Sequence, residues 1–193
     1  MTKLIYFDEG NNPRLFPSYC IFLDILGFKR EICDAVSKHQ EHLLFDKFFK
    51  DVAPIFKSAT RLHYAIGDQT YSHPWRVKLF TDNVVFGFGL YSGEERRDGL
   101  GEEEFGSIIN HVLFVQLNCA LKGWFLRGGW ADGNLFMDED TVFGSALIEA
   151  HDLESKKAVY PRVLLSKRVK NRINIHWSSG GLIKLDRGIS YNL

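Results

Sequence analysis

Cysteine is scarce in this chain. Cys20, Cys33 and Cys119 are its three cysteines, too widely spaced for a metal motif and odd in number, which excludes a disulfide framework. All three sit in apolar stretches and read as reduced core residues of a cytosolic protein. Charge of either sign is not in excess: 24 basic residues face 24 acidic ones. That balance excludes a general nucleic-acid binder, which needs a basic face, yet leaves room for one small polyanion in a locally charged cleft. No apolar run reaches the roughly 20 residues of a membrane span, and Met1–Pro17 has no signal-peptide pattern. A cytoplasmic protein without direct membrane contact is the expectation. Internal repeats and low-complexity segments are absent as well. What is present is apolar mass: 45% of 193 residues are hydrophobic, enough for one well-cored domain over 1–193 and short for two.

Ser18–Leu23 is a short apolar run that ends at Asp24 and reads as a buried strand. Met1–Pro17 precedes it as an N-terminal extension. Gly27 marks a turn. Phe28–Val36 then reads as a helix, and a second helix over Glu41–Lys57 carries Leu43, Leu44, Phe48 and Phe49 as a core stripe. Arg61–Pro74 gives no clear pattern beyond a turn at Gly67-Asp68. Arg76–Phe80 and Asn83–Leu90 read as a hairpin that bends at Thr81-Asp82. Tyr91–Glu103 is polar and glycine-rich, a mobile loop, and Glu104–Lys122 is a long helix. Trp124–Trp130 reads as a strand, Asn134–Val142 as a short hairpin, and Ser145–Lys156 as a helix. Val163–Leu165, Ile173–Trp177 and Leu182–Leu185 complete the pattern as late strands. The order begins β-α-α-β-β-α-β, so the expectation is an α+β fold of ferredoxin-like type: a mostly antiparallel sheet with helices on one face.

Two aspartates stand out. Asp24 ends a buried strand just before a turn and a helix, and a charge there is costly unless solvated, paired or bound to a metal. The turn amides of Gly27 and Phe28, the start of the helix, and Lys29 and Arg30 suit a phosphate. The plainer reading of Asp24 is a cap on that helix. Asp82 is delivered to a bend by a second apolar strand; its plainer reading is a turn aspartate. In a split βαβ sheet these two strands are adjacent and central, so both carboxylates can converge. Hard cations such as Mg²⁺ or Mn²⁺ prefer such oxygen ligands, and two of them can activate a hydroxyl and hold a triphosphate. Arg127 is a candidate to neutralise the triphosphate or touch a base, against a surface or sheet-edge arginine.

Asp24-Ile25-Leu26-Gly27-Phe28 resembles the strand–turn motif of class III adenylate and guanylate cyclases. In that resemblance Asp24 and Asp82 are the two metal-binding aspartates, and Ile25 adds a backbone-carbonyl ligand. Lys78, four before Asp82, takes the place of a base-reading lysine. Arg127–Gly133 (RGGWADG) is in register with the family's Arg-x-Gly-x-His-x-Gly strand, with Ala131 for the histidine. Gly144–Glu154 (GSALIEAHDLE) is in register with its Gly-x-x-x-Asn-x-Ala-x-x-Leu-Glu helix. The sequence departs where the family's transition-state asparagine and arginine stand, at Ile148 and Asp152, and Thr141 replaces the second base reader. In compactness and in its LD-x-x-GF, F-T-D and RG pattern, the chain most resembles the pyrimidine cyclases of bacterial Pycsar antiphage systems.

The resemblance implies a ferredoxin-like cyclase domain that turns UTP, or CTP, into its 3′,5′-cyclic monophosphate and pyrophosphate with two Mg²⁺ or Mn²⁺ ions. It implies a head-to-tail homodimer with shared sites and a separate cyclic-nucleotide-responsive effector in antiviral defence. Lys78 offers only hydrogen-bond donors, which favours the uracil O4 acceptor over the cytosine amino group, although O2 and N3 of cytosine keep the choice open. Two rivals stand beside this reading: a non-catalytic nucleotide-binding sensor, supported by Ile148 and Asp152, and a purine (adenylate) cyclase. An RNA-binding ferredoxin-like domain is disfavoured by the neutral charge and the strand-end aspartates.

Overall fold

A computed structural model of the chain describes residues 5–59, 63–66, 69–72, 76–90 and 102–178. The apolar run around Cys20 is strand β1 (Phe16–Ile25). The next segment holds helices α1 (Phe28–Ser37), α2 (Glu41–Asp51) and α3 (Ala53–Ser58), then strands β2 (His63–Ile66) and β3 (Gln69–Ser72). Strands β4 (Arg76–Phe80) and β5 (Asn83–Gly89) follow, then helix α4 (Glu102–Leu121) and strand β6 (Leu126–Met137). The chain continues through β7 (Val142–Phe143), α5 (Ser145–Lys157), β8 (Val163–Leu165) and α6 (Lys167–Ser178).

The main sheet runs β4-β5-β1-β6-β7, and β8 adds to β6. Every neighbouring pair is antiparallel except β6–β8. The fold is therefore α+β with a mostly antiparallel sheet. β1 lies at its centre and is apolar on both faces, which is why it reads as an unbroken hydrophobic run rather than an alternating one. Tyr19, Ile21, Leu23 and Ile25 point to one face and join Phe28, Phe48, Phe56, Ile108, Val112 and Val169 in the larger core. Cys20 and Phe22 point to the other and join Ile5, Tyr6, Val85, Ala131, Leu135, Ala146 and Ala150. Among the described residues no helix is long and apolar enough to cross a membrane.

The expectation of helices on one face is corrected by α5, which crosses to the second face. The reason lies in β6, where Gly129, Ala131 and Gly133 face that side. A Cβ on Gly129 would fall 2.1 Å from the Ala150 carbonyl oxygen, so the backbone of α5 rests directly on the sheet. The N-terminal extension also packs there rather than trailing away. Ile5 and Tyr6 are buried, and the hydroxyls of Tyr6 and Ser18 share a hydrogen bond of 3.1 Å.

Other corrections have equally local causes. The single helix expected over Glu41–Lys57 is two, parted at Val52, because Pro54 opens α3 and cannot continue the hydrogen bonding of α2. Leu44 and Phe48 of its stripe face the core, whereas Leu43 and Phe49 are exposed. Ile173–Trp177 belongs to helix α6, not a strand. Ile, Ile and Trp alternate there, but Val169 and Ile173 are spaced by four and share one core, and that longer pattern prevails. Cys33 is exposed on α1, while Cys20 and Cys119 are buried and all three are free. Arg61–Pro74 contains the β2–β3 hairpin; its expected turn at Gly67-Asp68, most of the loop expected over Tyr91–Glu103, and the strand expected over Leu182–Leu185 lie outside the described residues.

Candidate active site

Asp24 is the penultimate residue of β1. The alternation of the strand turns it to the α5 face, with Cys20 and Phe22, and the register sets it opposite Asn83 of β5 and Arg127 of β6. Phe80 pairs with Asn83, so Thr81 and Asp82 form the two-residue loop of the β4–β5 hairpin. Thr81 takes φ 52°, a left-handed conformation unusual for a β-branched residue. Its hydroxyl donates to Asp82 Oδ1 at 2.8 Å, and Asn83 Nδ2 donates to the same oxygen at 3.2 Å. The Ile25 amide donates to the Asp82 carbonyl at 3.1 Å. One backbone bond thus ties the end of β1 to the turn that carries Asp82.

After β1 the chain turns through Leu26 and Gly27. Gly27 sits at φ 85°, ψ 2°, where an L-residue is strained, and immediately precedes α1. No side chain caps α1, so Asp24 is not the helix cap that its position allowed. The first amides of α1 are left to other partners, as at any uncapped helix start. Lys29 is exposed beside them. The Phe28 ring is buried against Phe48 and Trp124, so only its backbone can serve a ligand.

The Asp24 side chain instead meets Arg127, whose Nε donates to Oδ2 at 3.1 Å. Arg127 Nη1 donates to the Ala158 carbonyl at 3.3 Å. A third charge completes the group: Glu154 Oε1 lies 2.8 Å from Arg127 Nε. That nitrogen has one proton, which points at Asp24, so the Glu154 contact is an ion pair and Oε1 accepts no hydrogen bond. Glu154 is 4% exposed. The sequence reading did not single it out as a site residue. A signal existed, since Ala146, Ala150 and Glu154 recur every fourth residue and put an acid on the buried stripe of α5.

Burial pushes the Asp24 carboxyl up to about 6, and the negative charges of Asp82 and Glu154 add to the rise, while Arg127 opposes it. Two carboxylates, Asp24 and Glu154, therefore face one guanidinium, and the charge of Asp82 acts on Asp24 from the neighbouring turn. Such a surplus of hard oxygen ligands fits a divalent cation. Among the described residues, however, no group of three or more His, Cys, Asp or Glu side chains is arranged to hold a metal ion alone. A pair of aspartates with a backbone carbonyl matches the sparser manner of Mg²⁺, which takes one or two carboxylates and fills its shell with water and substrate phosphate.

The remaining predicted residues divide. Lys78 is half-buried on β4, and Thr141 is exposed in the β6–β7 turn. The Thr141 amide donates to Asp138 Oδ1 at 2.6 Å. That bond, more than any other influence, holds the Asp138 carboxyl below its usual range, and the charges of Lys78 and Arg76 act in the same direction. Asp138 is thus bonded to the backbone of one expected base-reading position, Thr141, and feels the charge of the other, Lys78. Ile148 is 66% exposed, and Asp152 pairs with Lys156 at 2.9 Å along the helix surface. No protein-family model matches this chain, and no curated protein matches it.

Proposed function

We propose that this chain is a class III-like nucleotidyl cyclase on a ferredoxin-like sheet, acting on a pyrimidine nucleoside triphosphate, with UTP favoured over CTP. The observation that carries the reading is the Ile25 N–H···O=C Asp82 bond, which joins the strand end bearing Asp24 to the turn bearing Asp82. Asp24, Asp82 and the Ile25 carbonyl would hold Mg²⁺ or Mn²⁺. When bound, two such ions lower the pKa of the ribose 3′-hydroxyl and offset the charge of departing pyrophosphate. The 3′-oxygen bonds to the α-phosphorus as the bond to pyrophosphate breaks. The chain's own part is to orient. Thr81 and Asn83 fix one Asp82 oxygen, Gly27 lets the chain turn tightly into α1, and the amides after it with Lys29 suit the triphosphate. Arg127 acts first on the carboxylates it already touches. Lys78 and Thr141 meet the base, and Lys78, a donor only, prefers uracil O4.

A head-to-tail homodimer with a shared site is part of the proposal. Support comes from the apolar cleft between α1 and α2, which Leu79 and Thr81 also line beside the Asp82 turn, and from exposed Phe45, Phe49 and Phe80. The product would signal to a separate effector in antiviral defence. The second reading, a nucleotide-binding sensor without turnover, is favoured by solvent-facing Ile148 and by Asp152 tied to Lys156. One experiment separates the two. Purified protein is incubated with ATP, GTP, CTP or UTP and Mn²⁺, and products are read by mass spectrometry. Cyclic UMP should form about tenfold or more faster than cyclic CMP, the discrimination of one unpaired polar group, and cyclic AMP slowest. Binding of a nucleotide with no cyclic product selects the sensor; robust cyclic AMP alone sinks the pyrimidine assignment.

A further inference from the structure

The unusual feature of the site is a buried carboxylate oxygen left without a donor beside a guanidinium. Arg127 Nε is nearer to Glu154 Oε1, at 2.8 Å, than to Asp24 Oδ2, at 3.1 Å, yet its proton goes to Asp24. A buried charged acceptor normally takes every donor within reach. Here two acceptors stand within reach of one proton that only Asp24 receives, and Nη1 donates to the Ala158 carbonyl. Turning Nε–H from Asp24 to Glu154 is a rotation about the Cδ–Nε bond, which also swings the terminal nitrogens and shifts Nη1 against the Ala158 carbonyl.

From this geometry we infer that Arg127 is a resident counter-ion with two stations, and that Glu154 is the positioning residue that draws it off Asp24 when a divalent cation arrives. The inference rests on the proposed metal role of Asp24. Without a cation, Arg127 neutralises Asp24 and leaves Glu154 Oε1 waiting. With a cation on Asp24, that carboxylate no longer needs the guanidinium, and two positive charges would crowd one oxygen pair. Arg127 then gives its proton to Glu154, which gains the hydrogen bond it lacked. Glu154 touches no substrate in this scheme; it acts through Arg127.

The test is Mn²⁺ binding by calorimetry without nucleotide, on the full chain and on Glu154→Gln, Arg127→Gln, the double variant and Asp24→Asn, each checked by a melting curve in chelator. Glu154→Gln, close to isosteric, should weaken Mn²⁺ binding about tenfold, within the range of coupling between contacting charges. On the Arg127→Gln background the same change should alter affinity by about twofold or less, because the residue it acts through is gone. An equal loss on both backgrounds means that Glu154 attracts the cation by its charge alone, and the exchange is overturned. Unchanged affinity in Glu154→Gln overturns it too. A readout that needs no variant is the Arg127 Nε–H resonance in nitrogen-15 NMR of the parent protein. Saturating Mg²⁺ should shift it, and a resonance that stays still while Mg²⁺ binds overturns the exchange. Absence of Mn²⁺ binding, or binding that Asp24→Asn leaves intact, overturns the two-metal reading and the exchange together; the other adverse results overturn the exchange alone.

Discussion

Asp24 and Asp138 are the same residue type at the ends of two strands, and the fold treats them oppositely. Asp24 closes β1 beneath α5, where burial and two neighbouring carboxylates push it up to about 6. Asp138 follows β6 in an exposed turn, where its Oδ1 accepts the amides of Asp140 and Thr141 at 2.9 and 2.6 Å and its carboxyl is held low. The Asp138 turn is at rest: its charge has donors and solvent. The Asp24 site is loaded, with more negative charge than its one arginine balances. Local backbone donors can make a stable turn, but only packing brings like charges together, and that surplus is what the proposed cation would offset.

The sharpest way to break this contrast is to remove the loaded charges. Asp24→Ala and Asp82→Ala should each reduce cyclase turnover to background in Mn²⁺, since neither carboxylate can replace the other. Stability should not follow activity. In chelator, Asp24→Asn should melt at or above the parent temperature, because it removes a charge that the folded state disfavours. Near-native activity in either alanine variant ends the two-metal mechanism at that residue. A collapse of both melting points would instead make the aspartates structural.

Next in size is Gly129→Val. Any side chain there meets the Ala150 carbonyl and Leu153 Cβ, so α5 must lift. A cost of about 3 kcal/mol is expected for overpacking against backbone, measured by denaturant unfolding. The same change should carry Glu154 away from Arg127 and admit water to Asp24. In NMR titration its carboxyl should then fall from about 6 towards 3.8, the ordinary value. A stable Gly129→Val protein with an unmoved Asp24 would separate the loading of the site from the packing of α5.

The pH dependence of stability sharpens the comparison with a smaller effect. Asp24 has a raised carboxyl, so between 3.8 and about 6 the folded state binds more protons than the unfolded one. Its contribution therefore falls as pH rises through that window and is fully unfavourable above it. Asp138 has the opposite sign: its contribution is present above the ordinary carboxylate range and is lost as pH falls. Melting curves in chelator from pH 4 to 7 should show Asp24→Asn gaining on the parent as pH rises. A parallel offset at every pH would contradict the assignment. The smallest effect is expected of Asp138→Ala. It should lower the melting temperature slightly and leave metal binding intact. By freeing the Thr141 amide from its acceptor and removing a negative charge that acts with Lys78, it should narrow the preference of UTP over CTP, measured from paired initial rates.

Much of this was legible in the residues. The run before Asp24 could only be a buried strand, Gly27 had to mark a tight turn, and Thr81-Asp82 between two apolar segments had to bend. Each of these rests on contacts within a few residues, where alternation, φ preference and hydrogen-bonding groups act directly. The same locality misled at Ile173–Trp177, where three alternating apolar residues outweighed a spacing of four that needed the core to be seen. It also misjudged α2, because a stripe in sequence does not say how much of itself a neighbour will cover.

The tertiary structure alone decided the company that Asp24 keeps. Arg127 and Glu154 are far from it in the chain, and nothing local to either residue requires them to meet at one point. They meet because β6 lies beside β1 in a register that sets Arg127 opposite Asp24, and because Gly129 and Gly133 let α5 lie flat on the face to which both point. Sequence by itself determined that an aspartate would stand at the end of a buried strand, since the strand's apolar residues and the turn after it are dictated locally. Whether that aspartate would cap a helix, face water or share a half-buried arginine with a buried glutamate was a matter of long-range register and close backbone approach, which only the assembled sheet supplies.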